Sequence, residues 1–344
     1  VAARTQGALL RRIDEQSRRA LRTGEEADVR GLIRMYDEAL ADLRAILSDS
    51  LDELEDVDGD DRRRAYLSWK INREHQLSQQ IERRLAQLRS DWTLAFRDGL
   101  LRQATEQALW EGYAIDQATP PSIRVDVSAM TATIPDAVVN APWKGAMFSD
   151  RIWLLTDDIA REMQQQVGQG ALLGESVDQI VRRIRDLDVL DGNVPPRYAI
   201  ETLARTELMR ASDRARELSY AENSDVVTGE EVVVSLDQRT CEICGPIDGK
   251  LLDSDEVQDW LAANNAESRP PFHPRCRDTT APRLKPWGEL LSVGEAPDDL
   301  ERFEDEERVI RDPRTGKSRL APTMDFAEWQ RFARGTALGV ALRR

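Results

Sequence analysis

The run SLDQRTCEICGPIDGK, answered about thirty residues later by RPPFHPRCRDTTAPR, constrains this chain more than any other stretch. It holds all three cysteines of the 344 residues, Cys241, Cys244 and Cys276, and one of the two histidines, His273. The order is Cys-x-x-Cys, a 28-residue insert from Gly245 to Phe272, then His-x-x-Cys. Zinc takes four tetrahedral thiolate and imidazole donors, and two short ligand pairs joined by a loop are a common way to supply them. The spacing therefore predicts one structural zinc ion on Cys241, Cys244, His273 and Cys276. Gly245, directly after the second cysteine, is expected to occupy a tight knuckle with positive φ. The competing reading is three buried, reduced cysteines that cluster without an ion. An odd cysteine count in ligand-like spacing points to a reducing compartment rather than a disulfide framework.

Three runs in order, ARTELMRASDRARELSYAEN, VSLDQRTCEICGPIDGK and PPFHPRCRD, resemble the phage Mu F-like minor head protein (phage head morphogenesis) family. The residues that carry the resemblance are Arg205, Thr206 and Glu207; Asp237, Arg239, Thr240, Cys241 and Cys244; Asp248 and Gly249; and Pro270, Pro271, His273, Pro274, Cys276 and Arg277. It covers about residues 145 to 283. The resemblance implies a low-copy structural component of the virion, associated with the portal and other head proteins. Such a protein assists head assembly, DNA packaging or ejection, and passes through the host cytoplasm during assembly. One departure stands out. Asp278 occupies a place where the family often has a further cysteine, which assigns the fourth ligand to His273.

The net charge of −15 argues against a general nucleic-acid coat, because phosphate binding needs clustered Lys and Arg. Acidic runs surround Asp49–Asp61 and Glu295–Glu307, whereas Arg269, Arg275, Arg277, Arg283 and Lys285 make the neighbourhood of His273 basic. That small patch is the candidate DNA contact; a solvated surface is the plainer reading. No stretch reaches eighteen uninterrupted apolar residues, so no membrane span is expected, and the amphipathic start does not read as a secretory leader.

The fold class expected is mainly α with a small α+β zinc-stapled module. Residues 1–118 read as a long helical hairpin or arm. Val29, Leu32, Tyr36, Leu40 and Leu43 recur at three- and four-residue steps, as do Leu77, Ile81, Leu85, Leu88, Trp92 and Phe96. An acidic turn around Gly59 joins the two helices, and Thr119-Pro120-Pro121 stops the second. Residues 119–195 connect: Ile123, Val125 and Val127 alternate as a short strand, and a helix bearing Ile152 to Val167 ends at Gly168 and Gly170. A further helix is capped at Ser176. Residues 196–288 form the Mu F-like zinc-binding domain, with a helix from Arg197 to Glu222 and a strand through Val232, Val233, Val234 and Leu236. A turn at Asp248-Gly249 then returns Lys250 to Leu252. Glu207 reads as a structural ion-pair partner tying that helix to the zinc module. Residues 289–344 are a flexible acidic linker and a short amphipathic helix capped at Asp325, whose Phe326, Trp329 and Phe332 either meet a partner groove or fold back.

No catalytic set emerges. A zinc-knuckle nuclease needs a histidine base beyond the structural ion, and His273 is committed to it, while His75 belongs to the helical arm. A capsid maturation protease needs a triad that two histidines and ligand cysteines do not supply. A Ser-Lys pair has no spacing to recommend it, and the acidic charge disfavours a zinc-dependent DNA-binding regulator. The reading is a structural head protein, not an enzyme, with the nuclease and the protease as alternatives.

Overall fold

The computed structural model describes residues 2–55, 59–120, 125–142, 145–173, 179, 182–184, 195–235, 241, 243–291, 307–311 and 318–322. Long helices dominate: α1 Ala2–Glu55, α2 Gly59–Ala118, α3 Val127–Val139, α4 Phe148–Leu173 and α5 Pro196–Glu222. Strand β1 Val227–Val233 follows, then a 3-10 turn Gly245–Ile247, α6 Asp255–Asn264, β2 Thr279–Leu284 and the short α7 Trp287–Leu290. A separate hairpin joins β3 Glu307–Arg311 to β4 Ser318–Pro322. The expected class, mainly helical with a small α+β module, is the observed one.

The chain falls into two compact units: residues 26–99 with 142–205, and residues 1–25, 100–141 and 206–344. The first is built from helices alone among its described residues. Val29, Leu32, Tyr36, Ala39 and Leu43 of α1 are buried, as are Ile81, Leu85, Leu88, Trp92 and Phe96 of α2. The two helices run antiparallel, as the pairings Asp42 with Arg84, Leu32 with Trp92 and Asp28 with Gly99 require. Trp92 Nε1 donates to the Leu32 carbonyl at 3.2 Å, so its indole is buried without leaving a donor unmet. Helix α4 lays Ile152, Leu155, Ile159, Met163 and Val167 on the same core. It runs through Gly168 and Gly170, correcting the expected stop. Neither glycine adopts positive φ, and a glycine costs a helix only about 1 kcal/mol, less than burying Met163 and Val167 returns.

In the other unit the end of α2 packs against the start of α1 and against α3. The strand expected at Ile123–Val127 is not formed at Val127, which opens α3; Asp126 caps it, its carboxylate accepting from Ala129 N at 3.0 Å. Gly112 allows this approach, because a Cβ there would lie 2.9 Å from the Val127 side chain. Helix α5 delivers the chain into β1, which starts five residues earlier than the sequence suggested and pairs antiparallel with β2, Val232 opposite Thr280 and Glu230 opposite Pro282. The expected return at Lys250–Leu252 exists as a bridge on the other side of β1, with Leu252 N donating to Glu230 O at 2.8 Å. Gly249, at φ +73°, makes that turn.

The acidic tail is corrected in part. Val309 and Ile310 pair with Leu320 and Arg319 across β3 and β4, where the sequence suggested order only from Thr323. Short β-branched runs flanking a Gly- and Pro-containing turn are enough for a hairpin. Of the Ser176 helix, positions 179 and 182–184 are helical and Ser176 lies outside the described residues. Asp325, Phe326, Trp329 and Phe332 lie outside them too, as do Asp237, Arg239 and Thr240.

Candidate metal centre

Two pieces of chain deliver the cysteines and histidine to one point. Cys241 and Cys244 flank a tight turn in which Gly245 N donates to Cys241 O at 2.9 Å and Ile247 N to Cys244 O at 3.1 Å. Gly245 starts the 3-10 turn without positive φ, and a Cβ there would meet nothing within 4 Å. The knuckle does not need the glycine in the way the sequence suggested. The left-handed residue of the site is Arg275, at φ +60°. A non-glycine residue there costs of the order of 1 kcal/mol, and it reverses the chain so that His273 and Cys276 face the same way. Thr206 of α5 steadies this turn: its Oγ1 accepts from Arg275 N at 3.1 Å.

Nε2 of His273 lies 3.3 Å from Cys241 Sγ and 3.3 Å from Cys244 Sγ. Nδ1 faces the Pro274 carbonyl at 3.0 Å. With Nδ1 carrying the proton, the Nε2 lone pair points at the sulfurs, the arrangement typical of a metal-bound imidazole. Cys276 Sγ lies 3.4 Å from Asp278 Oδ2. The donor atoms of Cys244, His273, Cys276 and Asp278 all lie within 4.8 Å of one another. The structure brings Cys244, His273 and Cys276 into one set with Asp278, which the ligand spacing alone did not single out, while Cys241 lies outside that set, its Sγ 3.3 Å from His273 Nε2. The signal for Asp278 was present as the residue standing where the family often has a cysteine.

Cys244, Ile247, Val257, Leu261 and Phe272 seal the cluster from below with Val232 and Val234. Trp260 meets Phe272 edge-on at 5.5 Å between centroids. So many donors in an apolar pocket compete for protons. The hydrogen bond from Cys244 draws Cys276 down to about 6, while the bond to Cys276 pushes His273 up to about 10 and the Cys244 thiol is driven upward. Thiol sulfurs and an imidazole nitrogen crowded together in this way mark a place that suits a cation. Soft sulfur and nitrogen donors suit zinc better than the oxygen-seeking magnesium or calcium.

A second polar cluster lies in the same unit. Arg216, 1% exposed, donates through Nε to Glu111 Oε1 and through Nη2 to Asp14 Oδ1, both at 3.1 Å. Tyr220 donates to Glu111 Oε2 at 2.8 Å. Burial pushes Glu111 up to about 7 and Asp213 up to about 6. Burial alone would lower Arg216, but Asp14 and Glu111 hold its proton more firmly than usual. Arg269 is enclosed by Asp213 at 3.0 Å and Glu230 at 2.7 Å, so that guanidinium of the basic patch is engaged within the fold, while Arg283 is exposed. Glu207 is fully buried and pairs with Arg210 of its own helix at 2.9 Å.

Residues 161–281, about a third of the chain, match the family model described as Phage Mu protein F like protein. The resemblance read from the motifs is borne out over that span, which contains α5, β1, the start of β2 and every cluster residue. No curated protein and no solved structure matches the chain. No helix among the described residues is long and apolar enough to cross a membrane.

Proposed function

We propose that this chain is a structural phage head protein, present in few copies and associated with the portal, in which one zinc ion fixes the loop after β1 to the helices. The observation that carries the reading is the match over residues 161–281, which encloses the whole Cys-His cluster. The ion draws its ligands from Cys241, Cys244, His273, Cys276 and Asp278. It neutralises the crowded thiolates and closes the 28-residue insert, so its binding free energy adds to folding free energy.

The same reading makes the protein non-enzymatic. A closed four-donor site leaves no position for a metal-bound water, and His273 serves as a ligand rather than a base. Its tasks are to join head assembly and to assist DNA packaging or ejection, with Phe326, Trp329 and Phe332 as candidate anchors to a head partner and the virion as its destination. Arg275, Arg277, Arg283 and Lys285 remain the candidate DNA contact.

Co-expression with a phage portal subunit, followed by affinity capture and sizing, tests this. The proposal expects a stable complex of defined stoichiometry, and expects incorporation into heads to fall when residues after Arg319 are deleted. Two soluble proteins that never co-elute, or a chain missing from purified heads, contradict it. Cleavage of duplex DNA or of the capsid protein by the zinc-loaded chain, abolished by His273→Ala, would favour the nuclease or protease alternative.

A further inference from the structure

The cluster offers five donors where a structural zinc ion takes four, and the fifth is the residue that sets this chain apart. Resting on the zinc reading above, we infer that the ion is held by Cys244, His273, Cys276 and Asp278, and that Cys241 stands beside it as a free thiol.

Position comes first. Cys244, His273, Cys276 and Asp278 form the set whose donor atoms all lie within 4.8 Å of one another. Tetrahedral donors about 2.0 to 2.3 Å from a zinc ion lie closer than that to each other. Cys244, Cys276 and Asp278 are 0%, 2% and 2% exposed, while Cys241, half-buried like His273, meets that set through His273 Nε2 at 3.3 Å and is not a member of it.

Orientation follows. Asp278 Oδ1 accepts from Ser235 N at 2.9 Å, which leaves Oδ2 turned toward Cys276 Sγ at 3.4 Å. Cys244 Sγ lies within 4.8 Å of the same carboxylate. Ser235 is itself held, donating through Oγ to Arg277 O at 2.8 Å and accepting there from Arg18 Nη1 at 3.0 Å. A carboxylate fixed from behind by a backbone N–H, with its other oxygen aimed at sulfur, has the supported geometry of a metal ligand.

Charge balance gives the third argument. Three thiolates and a neutral imidazole around a divalent ion carry one negative charge, and an Asp278 carboxylate outside the set makes two in a buried pocket. Two thiolates, an imidazole and the carboxylate as ligands carry one in all, with Cys241 neutral. Burying an uncompensated charge is the dearer choice.

Zinc K-edge X-ray absorption on the full chain decides this without any substitution. The inference expects two sulfur and two nitrogen or oxygen neighbours per zinc; three sulfurs with one nitrogen overturn it while leaving the zinc reading intact. A chain that binds no zinc overturns both. Competition with a chelating dye adds a second reading. Cys241→Ser should keep one zinc with affinity changed less than about threefold, whereas Asp278→Ala should lose more than roughly 100-fold, the upper range for an outer-shell residue. A large loss in Cys241→Ser with little in Asp278→Ala overturns the assignment. In the zinc-loaded wild type, one thiol per chain should react with a thiol-exchange reagent, and none in Cys241→Ser; no reactive thiol in the wild type also overturns it.

Discussion

The unit formed by residues 26–99 and 142–205 and the unit that carries the cysteines are closed in opposite ways. The first is sealed by a stripe: Leu32, Tyr36, Leu43, Leu85, Leu88, Trp92 and Phe96 recur along two helices and bury one another. Its polar contacts lie toward the rim, as in the 2.7 Å pairs of Arg84 with Asp42 and Arg197 with Asp37. Such exposed pairs contribute at most about 1 kcal/mol each. The second unit buries a guanidinium among carboxylates and gathers thiols around an imidazole. A stripe tolerates the loss of any one member in proportion to its volume. A polar cluster does not, because removing one partner leaves the others buried and unmet.

The largest break in that comparison is removal of the proposed zinc ion. Chelation, or Cys276→Ser, should melt the segment from Cys241 to Leu284, since structural zinc in small modules contributes on the order of 10 kcal/mol of apparent binding free energy. Hydrogen exchange should show this loss of protection while residues 81–100 and 148–167 keep theirs. If the cysteine segment stays equally protected, the donors do no stapling.

Next comes Arg216→Ala, which strands Asp14 and Glu111 beneath the protein surface. Breaking a buried ion pair from one side costs about 3 to 5 kcal/mol. Trp92→Ala in the other unit should cost a similar amount through its cavity. The two differ in rescue: Arg216→Ala combined with Glu111→Gln should recover part of the loss, whereas no charge change elsewhere rescues Trp92→Ala. Urea titration of the three variants measures both, and an unrescued Arg216→Ala would mean that shape rather than charge matters there.

A smaller effect separates the units by pH. Glu111 rises in the folded state to about 7 from 4.5, and Asp213 to about 6 from 3.8. The folded protein therefore binds protons more tightly than the unfolded one. The stabilisation is fully present below the unfolded values and is lost as pH rises through about 4.5 to 7, with Glu111 accounting for roughly 3 kcal/mol at most. Metal loss at low pH acts oppositely, so the quantity to follow is the difference between wild type and Glu111→Gln. That difference should move in favour of the glutamine variant as pH increases from 5 to 8; a flat difference contradicts the buried-carboxylate account.

The smallest expected effect is at Thr206. Thr206→Val keeps the shape and removes the bond to Arg275 N, costing about 1 kcal/mol. It should also speed zinc release to a chelator, because the left-handed turn between His273 and Cys276 loses its anchor. Unchanged release kinetics would leave Thr206 a packing residue only.

These differences also explain what the sequence made legible. The stripe is periodic, so the α1 and α2 faces could be read directly, and Gly59, expected in the joining turn, opens α2. The gathering of Cys241, Cys244, His273 and Cys276 in one place was legible because such residue pairs are local in sequence. Arg216 with Asp14 was not, since 202 positions separate them and each looks like ordinary helix surface. β2 was hidden by Pro282 and Arg283 in a six-residue run. Asp278 was visible only as a departure from a pattern, and its meaning depends on Ser235, 43 positions away.

The account rests on the metal, and elemental analysis of the full chain addresses it most directly. Protein purified without added metal and without chelator should contain one zinc per chain. Its thermal transition should fall when the ion is stripped and return when zinc, but not magnesium, is restored. A metal-free preparation with the same transition as the zinc-supplemented one would contradict the account.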